Sequence, residues 1–165
     1  MKTCVALSLI LGGVISASAQ SAFDANLDPF QEMPPHNTPG YGSADFTLTG
    51  TTLSVDANAG LYSDLLAGAT SVVIADAAVG ANGPTLFVLT LDTPGNTRGT
   101  FSGSGTLTTG QITDLQAGNL YVNIRDSVFP SGEIRGQLEA IPEPSTLALA
   151  GIGALALLAA RFRQV

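Results

Sequence analysis

The sequence has few of the residue types on which catalysis, metal binding and crosslinking depend. Its 165 residues include no tryptophan, one cysteine and one histidine. Cys4 lies in the N-terminal segment, so disulfide bonds and thiol chemistry are excluded from the remainder of the chain. His36 lies in a proline-rich loop, where an exposed side chain is expected. With no tryptophan and three tyrosines, aromatic stacking platforms for sugars or bases are scarce.

Basic residues are also scarce. The chain has 6 lysines and arginines against 13 acidic residues, for a formal net charge of −7. Between residues 20 and 140, only Arg98, Arg125 and Arg135 oppose twelve acidic residues, which gives this segment a formal charge of −9. Nucleic-acid binding requires lysine and arginine against phosphate, so this composition excludes nucleic acid as a partner. An acidic surface suits solubility outside the cell.

The first nineteen residues have the layout of a secretory signal peptide. Lys2 supplies a positive start, Val5 to Ile15 form an apolar run, and Ala17 and Ala19 complete an A-x-A cleavage site before Gln20. Because the charge, the run and the small residues occur in this order, we predict a signal peptide at 1–19 and export of the chain.

The C-terminal segment contains an uninterrupted apolar run of fourteen residues, Leu147 to Ala160. A complete bilayer span needs about twenty, so this run is short, and a buried core helix is the alternative. Arg161 and Arg163 follow the run directly. Cations at this place favour a cytoplasmic tail with the preceding chain outside, so a short transmembrane helix that tethers the chain transiently to the inner membrane is expected.

The segment between these two ends has the patterning of β-strands. Leu120, Val122 and Ile124 alternate with polar residues, and such period-two patterning places one face in the core and the other in solvent. Turn signals such as Pro94-Gly95 recur between the strands. The pattern predicts one all-β domain over 20–140, an antiparallel β-sandwich that is Ig-like or barrel-like. About eight strands are expected, near residues 22–28, 43–49, 52–57, 70–75, 85–91, 98–107, 119–125 and 132–139.

A short sequence pattern occurs twice within this domain. Residues 63–68 (SDLLAG) lead into Val72, and residues 113–118 (TDLQAG) lead into Val122. A capping residue at the start and a glycine at the end predict a short helical turn in each copy. Either a duplicated half-domain or the same turn structure used at two separate places would explain the repeat.

Several sequence blocks together resemble the CHRD domain, a module named from chordin and widespread in bacterial exported proteins. The resemblance covers residues 22–139 and implies an all-β sandwich. Its most specific block is the last. The blocks are Phe23-x-Ala25-x-Leu27, Gln31-Glu32-Met33-Pro34-Pro35, Gly60-Leu61-Tyr62, Gly80-Ala81-Asn82-Gly83-Pro84, Tyr121-Val122-Asn123-Ile124 and Phe129-Pro130-Ser131-Gly132-Glu133-Ile134-Arg135-Gly136-Gln137-Leu138.

The C-terminal segment, residues 141–165, resembles the PEP-CTERM sorting signal of Gram-negative bacteria. Pro142, Glu143 and Pro144 precede the hydrophobic run and the basic end formed by Arg161 and Arg163, in the order of that signal. The resemblance implies recognition by an exosortase-type membrane enzyme, removal of the helix, and delivery to the cell surface or the extracellular matrix. Exopolysaccharide is then a candidate partner. The two prolines keep the segment extended, which suits a processing site.

A departure from the CHRD pattern concerns metal binding. Many members carry a His-x-His pair and a third histidine at positions that are Val72, Ile74 and Arg125 here. Two apolar side chains and a cation cannot ligate a transition metal, so no metal ligands are assigned, although a metal-binding or redox β-sandwich stays the alternative function. Calcium remains open at scattered acids without a calcium-loop motif: Asp24, Asp28, Asp56, Asp76 and Asp126.

No arrangement typical of a catalytic site is present. His36 has no neighbour in sequence that would orient it as a base, and no phosphate-binding or nucleophile motif occurs. A glycosidase would need two inward-facing carboxylates, which the sequence alone does not identify. Glu133 and Arg135 are expected to form exposed ion pairs, and Glu32 to cap a local turn. We therefore expect a non-catalytic protein that needs no cofactor and acts by binding or structure.

Overall fold

The structure, a computed structural model, describes residues 20–142. The predicted signal peptide with Ala17 and Ala19 lies outside the described residues. So do Glu143, Pro144, Arg161 and Arg163 of the sorting signal. Within the described range, no helix is both long and apolar enough to cross a membrane.

Short strands dominate the described part of the chain, and each of the eight predicted strands is present. The prediction ended β3 too early and omitted the two-residue β9. The elements are β1 (Gln20–Leu27), a 3-10 helix (Pro29–Gln31), β2 (Tyr41–Thr49), β3 (Thr52–Ser63), β4 (Ala69–Asp76), β5 (Thr85–Leu91), β6 (Gly99–Thr106), α1 (Thr109–Gln116), β7 (Leu120–Asp126), β8 (Ile134–Gln137) and β9 (Glu139–Ala140).

All strand pairs are antiparallel, in the order β8-β7-β4-β5-β6-β3-β2-β1-β9. The series closes back on β8, because Asp28, just after β1, exchanges backbone hydrogen bonds of 3.0 and 3.1 Å with Arg135 of β8. The sheet therefore curls into a nearly closed barrel. This confirms the predicted all-β antiparallel class in its barrel-like form.

The core fills the interior of this barrel with side chains from alternate positions. In β7, Leu120, Val122 and Ile124 are fully buried in the core, and they face Val72 and Ile74 of the neighbouring β4. Residues directly opposite each other in an antiparallel pair lie on the same side of the sheet, so these apolar side chains of β4 and β7 pack together on one face. Tyr121, Asn123 and Arg125 consequently lie on the other side, which we call the outer face.

The repeated pattern adopts different structures in its two copies. The second copy forms the end of α1, which begins earlier than expected because Thr108 and Gln111 form a capping box. The prediction is wrong for residues 63–68, because Ser63 ends β3 and residues 64–68 form an irregular loop. There, the backbone N–H groups of Leu66 and Ala67 donate to the buried carboxylates of Glu133 and Asp126 instead of entering a helical turn.

Candidate functional site: a polar pocket on the outer face

Polar residues from four separate sequence blocks meet on the outer face of β4, β7 and β8. β7 contributes Tyr121, Asn123 and Arg125. Cross-strand pairing places Arg135 beside Asn123 and Gln137 beside Tyr121. The segment after β1 and the loop before β5 cover this face, and their side chains and carbonyls bond to it. Four of the six blocks that resemble the CHRD domain thus converge here in space.

Arg135 lies at the centre of this region and is 1% exposed. Its guanidinium lies 3.5 Å from the centroid of the Tyr121 ring. It donates to the carbonyl of Ala81 at 2.7 Å, that of Ala78 at 3.3 Å and Oε1 of Gln137 at 3.1 Å. Burial lowers its pKa, but an arginine stays charged. The predicted exposed ion pair is wrong for Arg135, because the loop that follows β4 covers it.

Gln137 completes the attachment of the surrounding loops to β8. Its Nε2 donates to the carbonyls of Ala77 at 2.9 Å and Gly118 at 2.7 Å. Its backbone N–H donates to Oε1 of Gln31 at 3.3 Å. These bonds join three segments that are distant in sequence, so Gln137 and Arg135 together hold the walls of the region in place.

Glu32 lies beside this cluster and is 3% exposed. Nδ2 of Asn123 donates to its Oε1 at 2.9 Å. Burial raises the pKa of Glu32 to about 7, and the charges of Arg135 and Arg125 oppose that rise. Asp28 caps the short helix instead, accepting from the backbone of residues 30 and 31. Glu32 was expected to cap a local turn. Its side chain instead bonds to Asn123 of β7, which is distant in sequence.

Gly132 makes room for the Glu32–Asn123 hydrogen bond. Its φ of 144° is one that residues with a side chain rarely adopt. A Cβ at this position would come within 2.4 Å of Oδ1 of Asn123 and Oε1 of Glu32. The turn that ends at Gly132 therefore packs directly over the buried pair and brings Ser131 to the edge of the pocket.

A pocket of about 280 Å³ opens beside Glu32. Arg125 lies on its wall and is half-buried, with one side-chain hydrogen bond, from Nη2 to Oγ1 of Thr85 at 3.3 Å. Within residues 20–142, Nε of Arg125 and Oδ1 of Asn123 are buried polar atoms without a hydrogen-bond partner. Buried polar groups are normally paired, so these two atoms mark the region as a candidate binding site. The polar and apolar lining includes Glu32, Met33, Asn82, Tyr121, Arg125 and Ser131.

The three positions that carry histidine in many CHRD domains do not converge here. Val72 and Ile74 are fully buried in the core. Arg125 pairs with Ser71 and lies on the outer face, so the sheet separates it from the other two. Across residues 20–142, no group of three or more histidine, cysteine, aspartate or glutamate residues is close enough to hold a metal ion.

Glu133 and Asp126 form a buried acidic pair elsewhere in the barrel, 0% and 1% exposed. Both oxygens of Glu133 accept from the N–H of Leu66 at 3.0 Å. Asp126 accepts from Ala67 at 3.0 Å and from Phe129. Burial and the adjacent Asp126 raise the pKa of Glu133 to about 7. The exposed ion pair predicted for Glu133 is therefore also wrong, since its carboxylate is buried and accepts from the backbone N–H of Leu66 in a loop.

His36 is half-buried, not fully exposed as expected. Its ring lies 4.3 Å from the ring of Phe129, centroid to centroid, and its backbone N–H donates to the carbonyl of Pro29 at 2.9 Å. The residue thus packs the segment before β2 against the turn before β8.

The sequence contains one partial signal for this site, the position of two arginines on their strands. Of the three arginines in the barrel domain, two are Arg125 and Arg135, and each follows a polar residue two positions earlier on its strand. Period-two patterning places Arg125 beside Asn123 and Arg135 beside Glu133, but which loops cover them depends on contacts distant in sequence.

Comparisons with known proteins agree with this architecture. Residues 23–138 match the CHRD domain, and residues 140–164 match the PEP-CTERM protein-sorting motif. The chain therefore belongs to the CHRD domain family and carries a PEP-CTERM sorting motif. That motif implies export, transient anchoring in a membrane, and processing by an exosortase-type membrane enzyme. No curated protein and no solved structure matches the chain.

Proposed function

We propose that this protein is a non-catalytic module that acts by binding or structure at the cell surface or in the exopolysaccharide matrix after its sorting tail is processed. The observation that carries the proposal is the pocket beside Glu32 on the outer face of the barrel, whose wall includes Arg125 with its unpartnered Nε. A protein of this kind needs a binding surface and a sorting signal. The pocket beside Glu32 is the candidate for the first, and the PEP-CTERM motif is the second.

The arrangement of the buried acids supports a role without catalysis. A catalytic carboxylate must reach a substrate, whereas Glu133 and Asp126 are enclosed and accept hydrogen bonds from loop backbone. Likewise, His36 stacks on Phe129. The metal-binding alternative is disfavoured because two of its three positions, Val72 and Ile74, belong to the core.

Cell fractionation followed by mass spectrometry of the mature ends tests this function. We expect a chain that begins near Gln20, lacks the apolar run, and is recovered with the cell surface or the matrix. Replacing both Pro142 and Pro144 by alanine should leave an unprocessed chain in the inner membrane. The matched control, Pro94→Ala, changes an exposed turn proline outside the tail and should be processed normally. An intact chain in the cytoplasm would disprove the proposal.

A further inference from the structure

We infer that the pocket beside Glu32 and Arg125 binds the carboxylate of a sugar acid, either free or as one residue of a polysaccharide. The inference rests on the proposed function, because it names the ligand class that this same pocket would recognise at the cell surface or in the matrix. Three properties carry it: the distribution of charge, the free hydrogen-bonding groups, and the size of the pocket.

The distribution of positive charge singles out this place in an acidic domain. Of the three arginines in residues 20–140, Arg98 is exposed and pairs with Asp64 at 3.7 Å, the one ion pair among the described residues. Arg125 and Arg135 both lie next to Glu32 and influence its protonation. In a domain whose formal charge is −9, one of the three arginines therefore lines this pocket, and a second lies close to its Glu32 wall. Such a local excess attracts an anion.

Arg125 has unused capacity to bind that anion. Its Nε is buried without a partner, and its hydrogen bond to Thr85 is long, at 3.3 Å. The planar guanidinium matches a carboxylate in two parallel hydrogen bonds. Arg135 is different, because carbonyls, Gln137 and the Tyr121 ring already surround it. Arg125 is therefore the residue that contacts the ligand. Arg135 is buried next to the pocket and adds positive charge without contacting the ligand.

The remaining groups favour a small ligand rich in hydroxyls. Nδ2 of Asn82 donates to the carbonyl of Met33 at 2.7 Å, which leaves its amide oxygen to accept. Tyr121 accepts from the N–H of Gly83 at 3.2 Å and keeps its own proton to donate. Ser131 adds a hydroxyl. A volume of about 280 Å³ lies at the small end of ligand pockets, which suits a single sugar ring.

Glu32 favours a carboxylate over a more highly charged anion and makes binding depend on pH. The groups that face Glu32 are Arg135 from β8, and Arg125, Asn123 and Tyr121 from β7. An anion beside Glu32 stabilises its neutral form, so binding takes up a proton, and affinity should rise as pH falls through about 7. Phosphate carries more negative charge than a carboxylate, so Glu32 disfavours it more strongly.

Nuclear magnetic resonance of the isotope-labelled full chain in mild detergent tests the inference with four probes. D-glucuronate carries the carboxylate, D-glucuronamide is its neutral isostere, D-glucose lacks the group, and inorganic phosphate is a different oxyanion. We expect D-glucuronate to move the amide resonances of Gly83, Ser131 and Gly132 in a saturable way. D-glucuronamide, D-glucose and phosphate should each bind at least roughly tenfold more weakly. The first two cannot form the charge-assisted pair with Arg125, and the charge of Glu32 opposes the third. Binding of D-glucuronate should be several-fold tighter at about pH 6 than at about pH 8.

Matched arginine variants locate the effect. Arg125→Gln should weaken D-glucuronate roughly tenfold or more, and Arg125→Lys should weaken it less, because the charge remains while the planar fork is lost. Arg98→Gln changes the net charge equally at an exposed site and should bind like the unaltered protein. Thermal midpoints establish that each variant is folded before binding is measured.

The outcomes separate this inference from the proposed function. Equal binding of D-glucuronamide or phosphate, an equal loss in Arg98→Gln, or no saturable shift with D-glucuronate overturns the assignment of a sugar acid. If the protein nevertheless reaches the surface or the matrix in processed form, the proposed function stands with a different ligand. Recovery of the chain in the cytoplasm would overturn the function while leaving the chemistry of the pocket measurable.

Discussion

Gly132 is the residue on which the geometry of the polar pocket depends most directly. It combines a backbone angle that disfavours side chains with a position that lies against the Glu32–Asn123 hydrogen bond. Two separate costs are therefore expected for any larger residue: local backbone strain, and displacement of a buried polar pair.

Replacing Gly132 by alanine should lower the free energy of unfolding by about 2–4 kcal/mol, since the new Cβ collides with Asn123 and Glu32. Gly50→Ala is the control, because Gly50 has a φ of 61° and open space around its Cα. There we expect only the cost of the backbone conformation, about 1–2 kcal/mol. Denaturant unfolding measures both, and an equal loss at the two glycines would contradict the role assigned to Gly132.

Helix α1 connects β6 to β7 along the chain, and a capping box defines where it begins. The Thr108 side chain accepts from the Gln111 N–H at 3.3 Å, and Oε1 of Gln111 accepts from the Thr108 N–H at 2.8 Å. The helix places Leu115 in the core with 0% exposure. An amphipathic helix this short is marginal alone, so its cap and this one buried side chain hold it.

Thr108→Ala should reduce the free energy of unfolding by about 1 kcal/mol, because a helix N–H loses its partner. Thr108→Ser retains a hydroxyl at the same place and should remain close to the unaltered protein. Thermal and denaturant unfolding compare the two variants. If the serine variant lost as much free energy of unfolding as the alanine variant, the threonine methyl group, rather than the cap, would account for the stabilisation.

The last strand, β9, joins the barrel to the sorting tail. β9 pairs with β1 through Glu139 and Ala140, and the Ile141 N–H still donates to the carbonyl of Ala22 at 2.9 Å. The Pro-Glu-Pro sequence of the sorting motif begins at Pro142, one residue later. The folded barrel thus extends to the edge of the processing signal, and no linker separates the two.

At the scale of the whole molecule, two buried carboxyls make stability depend on pH. Glu133 and Glu32 bind their protons more tightly in the folded chain, where the pKa of each is about 7, than at the ordinary value of 4.5. The stabilisation from each group is complete below that ordinary value and is lost as pH rises through about 7. The folded state should therefore become less stable between mildly acidic and mildly basic conditions.

Glu133→Gln should flatten this dependence, because glutamine keeps an acceptor for the Leu66 N–H and cannot ionise. We expect the unaltered protein to lose about 2–3 kcal/mol more than the variant between about pH 5 and about pH 8. Glu139→Gln removes an exposed carboxyl from β9 and serves as the matched control. Denaturant unfolding across this range measures all three proteins. Parallel pH profiles for Glu133→Gln and the unaltered protein would contradict the expected result.

Local patterning alone predicted eight of the nine strands and the faces of those strands that point into the core. Alternation is a local property of the chain, so Leu120, Val122 and Ile124 could be assigned to the core without knowledge of their partners. The sorting motif is also local, because a processing enzyme reads it as a linear segment, and the family match confirmed it.

The burial of particular polar residues, and the identity of the loops that cover them, depend on tertiary contacts. Arg135 and Glu133 occupy polar positions of a strand pattern, yet carbonyls and N–H groups of distant loops enclose them. The hydrogen bond between Glu32 and Asn123 joins residues 91 positions apart. Period-two patterning gives the side of the sheet on which a residue lies. Burial on that side depends on the closure of the barrel and on the packing of loops, which are set by contacts that no local pattern contains.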